Sequence, residues 1–291
     1  MSKFRSDKDN DLNLPNRRAM ERMMEQFSLA RLDNDRSLEE AQGLMYDAWE
    51  TLDRVQRIKL AKRALELSPD CADAWVLLAE DSADTLERAA EFYQKGLEAG
   101  ERALGEDEFT EFKGNFWSFL DTRPYMRARA GLAACLWDMG KHDSAVSHYY
   151  AMLELNPNDN QGNRHVLITC LMTLCRYPDA HKLLDKYKDD FSVEWSYFQA
   201  LLGFIEDGDS AESRRLRGEA LARNKHVPAY LGGRRKLPSE PYDYTVLHGK
   251  EEAINFTIES RAIWRSIPDA IGWLLQQAGG SKRKHKNGKR R

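Results

Sequence analysis

Along most of this chain apolar residues recur at intervals of three and four, the spacing that gives a helix one oily face. The clearest example begins with Leu132, Ala133 and Leu136, turns at Gly140, resumes with Ala145 and Tyr149, and closes on Leu155-Asn156-Pro157. The pattern predicts two short helices packed back to back. Gly140 would supply the turn, and Pro157 would end the second helix, because its ring clashes with the preceding turn and it has no amide to donate. Asn158-Asp159-Asn160 then reads as a turn leading into the N-cap of another helix.

This helical pair resembles a tetratricopeptide unit, in which small or apolar residues fall at unit positions 7, 8 and 11, Ala at 20, an aromatic at 24 and Pro at 32. Counting from Met126 places Leu132, Ala133, Leu136, Ala145, Tyr149 and Pro157 in those slots. Small residues let the two helices approach, and the aromatic fills the gap to the next unit. Steps of about 34 residues, the period of such repeats, give a unit from Asn160, with Val166, Leu167 and Cys170 inward and Ala180 one residue off the small slot. The next runs from Glu194, with Ala200, Leu201, Phe204 and Ala220 in phase and Gly208 two periods after Gly140.

Upstream, Pro69 sets a unit over residues 38–71, and another starts at Ala72 with Trp75, Leu78 and Ala79 in its slots. Pro69 and Pro157 are two periods and about 20 residues apart. An insertion is therefore expected, and residues 106–125, aromatic and acidic, are its candidate, covering one edge of the stack. Beyond Val227, Pro228, Pro238, Pro241, Gly232 and Gly233 mark an irregular connection. Two further amphipathic helices, over 250–264 and 269–278 and split by Pro268, are expected to cap the array. The expected fold is all-α: a right-handed tetratricopeptide-type α-solenoid of about five helix hairpins with C-terminal capping helices. It would occupy residues 37–281, with the cap over 228–281. Residues 1–36 are expected to be an arm, partly helical or disordered, with a Met-rich amphipathic run at 18–31, and residues 282–291 a basic disordered tail.

In such a stack the first helix of each unit lines the concave wall through positions 2, 5, 9 and 12. In the third unit these are Arg127, Ala130, Ala134 and Trp137; in the fourth Gln161, Arg164, Ile168 and Leu171; in the fifth Trp195, Phe198, Leu202 and Ile205. Arg127, Trp137, Gln161, Arg164, Trp195 and Phe198 are the candidate groove residues, since Arg and Trp combine contact area with directed hydrogen bonds or a planar face. For the aromatics the competing reading is inter-unit core, and for the arginines an internally paired charge. The carboxylate clamp of chaperone-binding repeats needs Lys and Asn where this chain has Ala130 and Ala134.

Composition agrees with helix: 42% of residues are hydrophobic, while Gly (18) and Pro (9) are sparse. The formal charge of −3 conceals an acidic body of −10 and a tail of +7, carried by Lys282, Arg283, Lys284, Lys286, Lys289, Arg290 and Arg291. An alternative function follows, association with nucleic acid through that tail. The body's charge opposes it, and no aromatic residue interleaves the cations. No segment has the roughly 20 apolar residues of a membrane span, and a cytoplasmic protein is expected. Cys71, Cys135, Cys170 and Cys175 lack metal or redox spacing and read as core. Phosphate-loop, His-Glu-x-x-His and Gly-x-Ser-x-Gly motifs do not occur. Glu206-Asp207-Gly208-Asp209 lacks the remaining ligands of a calcium loop. No catalytic residue, metal or cofactor is expected.

Several segments resemble the suppressor-of-tumorigenicity 7 family and its bacterial relatives: Arg123-Pro124-Tyr125-Met126-Arg127, residues 156–162, residues 224–231 with the Lys236-Leu237-Pro238 turn, and the end from Trp264 to Leu275. The likeness spans roughly residues 38–278. It implies a helical-repeat scaffold without assigned chemistry. Animal members carry membrane-spanning segments with no counterpart here, and the zinc motif that ends some bacterial repeat proteins has no cysteines in this tail. The expected function is a protein-interaction adaptor that binds a segment of an unidentified partner protein in its groove.

Overall fold

The computed structural model describes residues 36–276. The expected arm and basic tail lie outside the described residues. The described residues contain helices and turns and no strand. The chain divides into two compact units, residues 1–167 and 168–291.

The first unit alternates short caps and amphipathic helices. Helix α1 (Arg36–Glu50) turns into α2 (Arg54–Leu67) at Asp53, whose carboxylate accepts from the amides of Val55 at 2.9 Å and Gln56 at 3.3 Å. Helix α2 stops two residues before Pro69, and α3 (Ala72–Asp81) follows. Thr85 caps α4 (Leu86–Glu111), accepting from Arg88 N at 3.1 Å, and Gly105 breaks that helix with φ 71° and ψ 170°. Pro124 sits in the first turn of α5 (Arg123–Asp138), where a missing amide costs nothing. Gly140, at φ 75°, makes the turn into α6 (His142–Leu155). Each helix packs on the next, and α1 on α3 and α3 on α5 besides, so the first helices of three successive hairpins lie side by side.

The expected insertion is partly helix and largely core. Residues up to Glu111 extend α4, and the connection that follows holds a short 3-10 turn at Phe116–Ser118. Phe112, Phe116 and Trp117 are buried. Phe109 meets the Tyr125 ring edge-on at 5.0 Å, and Phe112 stacks on Phe119 at 3.9 Å. Gly114 N donates to Leu155 O at 2.9 Å and Trp117 N to Asn156 Oδ1 at 3.4 Å, so this segment is sewn to the end of α6. Most of its aromatic residues are thus buried against the helices on either side.

Helix α7 (Asn163–Thr173) runs through the point of division. Val166, expected to face inward, is 46% exposed, while Leu167 and Cys170 are buried. One apolar residue more than the helix needs for its buried face is left outside.

The second unit is built around α9 (Val193–Asp207), preceded by α8 (Tyr177–Lys186) and followed by α10 (Ala211–Arg223), α11 (Val227–Leu231), α12 (Lys250–Ser266) and α13 (Ala270–Leu274). Helix α9 touches α8, α10 and α12. Tyr197 donates to Asn224 O at 2.6 Å, and its ring lies 5.4 Å from Phe256 of α12. Asn224 in turn donates to Glu252 Oε2 at 2.8 Å and Gly249 O at 2.9 Å. Helix α13, shorter than the 269–278 expected, is pinned by Trp273: its indole donates to Asp209 Oδ1 at 3.0 Å, and its ring stacks on Phe204 at 4.6 Å. Cys71, Cys135 and Cys170 are buried; Cys175 is exposed, at φ 55° in the turn before α8.

Candidate functional site

The face shared by α1, α3 and α5 in the first unit carries a polar knot. Asp73, in the first turn of α3, is completely buried. Arg127 of α5 grips it with two hydrogen bonds, Nε to Oδ1 at 2.8 Å and Nη2 to Oδ2 at 2.6 Å. Gln42 of α1 donates a third to Oδ2 at 2.9 Å, and the Arg127 guanidinium lies 5.3 Å from the Trp49 ring centroid. The knot therefore joins all three first helices. Beside it, burial and the Asp73 charge push the Cys71 thiol up to about 12, so it is an inert packing group.

Arg127 is thus a paired charge, its side chain 13% exposed. Farther along α5, Ala130 is half-exposed, Ala134 is exposed, and Trp137 is half-exposed with its ring 4.4 Å from His142. Four predicted positions of this helix therefore do share a surface. In the turn before α7, Asp159, at φ 49°, accepts from Asn163 N at 2.8 Å, Arg164 N at 2.9 Å and Arg164 Nη1 at 3.0 Å. Arg164 is 21% exposed, and Gln161 accepts from Asn163 Nδ2 at 3.3 Å. Both are engaged in building the helix start.

The stripe read from the sequence does not hold in the later units. Ile168 and Leu171 are fully buried, and so is Leu202. Trp195 and Phe198 are 1% and 0% exposed; they are core of the second unit and form no groove wall. The physical reason is that the apolar arc of α9 is wide, with its polar side at Ser196, Gln199, Glu206 and Asp207, and three helices pack against it. Asp73, Gln42 and Trp49 were absent from the predicted set. A signal for Asp73 existed, since it occupies unit position 2 of the second unit, the slot that Arg127 holds in the third.

A cleft of about 80 Å³ opens between α1 and the second half of α4, floored by Ala72, Gly100 and Leu104. Its rim carries Glu39, Asp70, Glu108 and Asp121, and no Lys, Arg or His lines it among the described residues. At that size it admits side chains of a covering segment, not an enclosed small molecule of the usual 300–1,000 Å³ kind.

In the second unit, burial pushes the Glu194 carboxyl up to about 7, with repulsion from Glu259 and Glu252 adding to the effect. Among the described residues no three His, Cys, Asp or Glu side chains are grouped to hold a metal ion. Nor is any described helix long and apolar enough to cross a membrane.

A family model described as ST7 protein matches residues 22–281. The human protein "Suppressor of tumorigenicity 7 protein-like" is 31% identical over 254 residues, covering 79% of this chain and 44% of its own length. "Protein ST7 homolog" of Drosophila melanogaster is 28% identical over 261 residues, with 79% and 47% covered. The chain spans about half the length of these curated relatives. A solved structure of YrrB, described as a TPR protein with an unusual peptide-binding site, aligns with a TM-score of 0.44 at 16% identity, covering 68% of this chain and 90% of that one.

Proposed function

We propose that this chain, which belongs to the ST7 protein family, is an interaction scaffold that holds a segment of a partner protein against the α1–α3–α5 face of its first unit. The observation that carries this reading is the make-up of α5 along that face. Small residues, Ala130 half-exposed and Ala134 exposed, lie between the rim of Arg127 and the half-exposed Trp137. Small side chains leave room for a backbone to approach, and Trp137 supplies area. The knot beneath keeps the three helices in register, so the surface is formed before a partner arrives, which lowers the ordering cost of binding. Gln161 and Arg164, held by the Asp159 turn, extend the same polar character on the approach to α7.

The test uses surface positions, because altering Arg127 also disturbs the core. Proteins co-purifying with the full chain at native expression are identified, and the leading one is titrated against wild type, Ala134→Arg and Trp137→Ala. Both variants are expected to melt like wild type and to weaken binding by at least roughly 30-fold, as loss of about 2 kcal/mol at a buried anchor does. Unchanged affinity in both variants overturns the assignment of this face.

A further inference from the structure

On α10 two arginines are held by acids: Arg214 binds Asp209 at 2.8 Å and Arg215 binds Glu212 at 2.6 Å. The stretch that follows is different. Residues 220–239 carry Arg223, Lys225, Arg234, Arg235 and Lys236 with no Asp or Glu among them, in a body whose charge is −10. Lys225, Arg234, Arg235 and Lys236 are exposed, as is Lys250 at the start of α12. Among the described residues none of these exposed cations forms an ion pair.

Asn224 folds this stretch onto the start of α12. Its side-chain amide donates to Gly249 O at 2.9 Å and Glu252 Oε2 at 2.8 Å, while its carbonyl oxygen accepts from His226 N at 3.0 Å. Lys225 and His226 are thereby set beside Gly249 and Lys250. Past α11, Arg235 N donates to Ala229 O at 3.0 Å, which turns the chain back and leaves the Arg235 guanidinium 6.0 Å from the Tyr230 ring centroid. Burial and the charges of Lys225, Arg235 and Lys250 hold the His226 imidazole below its usual range, with Glu251 opposing them. Three cations therefore converge on one half-buried histidine. Of the remaining charges nearby, Glu252 is buried and held by Asn224 and by the His248 amide at 2.9 Å, and Arg223 Nη1 lies 3.4 Å from His248 Nε2.

Cations gathered without acids repel one another, and a bound anion relieves that repulsion. A phosphate group suits the cluster better than a carboxylate does, because it carries about −2 charge and presents more acceptor oxygens to several donors at once. We propose that Lys225, His226, Arg235 and Lys250 form a binding site for the phosphate group of a phosphomonoester. Glu240 and Asp243 follow the acid-free stretch and Glu251 flanks Lys250, so the basic surface is short and fits one phosphate rather than a nucleic-acid strand. It shares no residue with the partner face of the first unit, and either reading can fail without the other.

Histidine-ring NMR on the full chain tests it, with the His226 signals assigned by their loss in His226→Gln. N-acetyl-O-phosphoserine amide, AMP and inorganic phosphate are titrated separately at neutral pH and low salt. At least one should move the His226 signals and saturate below about 1 mM, leaving those of His142 and His165 in place, and the His226 titration should move upward in the bound state. Lys225→Gln with Lys250→Gln should melt like wild type and bind roughly tenfold more weakly, as loss of charged hydrogen bonds does. Lys182→Gln with Lys186→Gln, an equal change of charge on α8, should keep wild-type affinity. Tighter binding of the phosphoserine derivative assigns the phosphate to a protein side chain, and tighter binding of AMP assigns it to a nucleotide. The proposal is overturned if none of the three probes moves the His226 signals, if the α8 pair weakens binding as much as the Lys225–Lys250 pair, or if N-acetylaspartamide, a carboxylate of similar size, binds as tightly as the phosphates.

Discussion

Replacing Arg127 by Met leaves the fully buried Asp73 carboxylate without two charged hydrogen bonds, at 2.8 and 2.6 Å, and with Gln42 as its side-chain donor. Two unit charges about 4 Å apart attract by about 4 kcal/mol at an effective dielectric near 20. Removing one partner of a buried pair costs about 3–5 kcal/mol, because the other charge stays uncompensated. Solvent screening offers little relief, with Asp73 inaccessible and Arg127 13% exposed. Urea unfolding by far-ultraviolet circular dichroism should therefore show a loss of about 3–5 kcal/mol for Arg127→Met. Asp73→Asn should lose less, since its amide still accepts from Arg127 and introduces no charge. The double variant should recover about 2 kcal/mol relative to the sum of the singles, as groups in direct contact do. Additivity within about 0.5 kcal/mol, or a loss below about 1 kcal/mol for Arg127→Met, would refute the reasoning, since an exposed ion pair behaves that way.

Glu194 gives a pH signature. Its carboxyl titrates near 7 in the folded chain instead of 4.5, so the folded state holds the proton more tightly and stability falls as pH rises between those values. Denaturation at pH 5 and pH 8 should differ by about 2–3 kcal/mol through this group, and Glu194→Gln should remove that part of the dependence. A Cβ at position 131 would run into the Tyr93 ring, so Gly131→Ala should cost about 1–3 kcal/mol in urea denaturation, relieved in part by Tyr93→Leu. The register of α7 is checked by neighbours: Val166→Asn should stay within about 0.5 kcal/mol of wild type, while Leu167→Ala should lose about 2–5 kcal/mol.

What the sequence made legible was the part of the fold set by local chemistry. Pro69 and Pro157 each follow the end of a helix by two residues, and Gly140 and Gly208, two periods apart, both adopt positive φ at hairpin turns. These features depend on a residue and its immediate neighbours, so a linear reading finds them. The aromatic run after Glu106 was located but not understood. What Phe112 and Phe116 pack against follows only once Leu155 and Asn156, about 40 residues later, are seen to bind the same segment. Pairing across that distance leaves no local trace.

The groove stripe failed for a related reason, and the failure separates the two units physically. A stripe at positions 2, 5, 9 and 12 marks a free face only while nothing covers the helix. In α5 the slots hold Arg, Ala, Ala and Trp, and they remain at the surface in whole or part. In α9 they hold Trp195, Phe198, Leu202 and Ile205, beside a second apolar stripe of Tyr197, Ala200 and Leu201. The apolar arc of α9 is therefore wider than one stripe and needs a further covering element, and α12 supplies it through Phe256, 5.6 Å from Phe198. The α1–α3–α5 face differs in this respect: Asp73 and Arg127 hold equal slots in consecutive units, and Ala134 on the same helix as Arg127 stays exposed, which is why the proposed partner site is placed there.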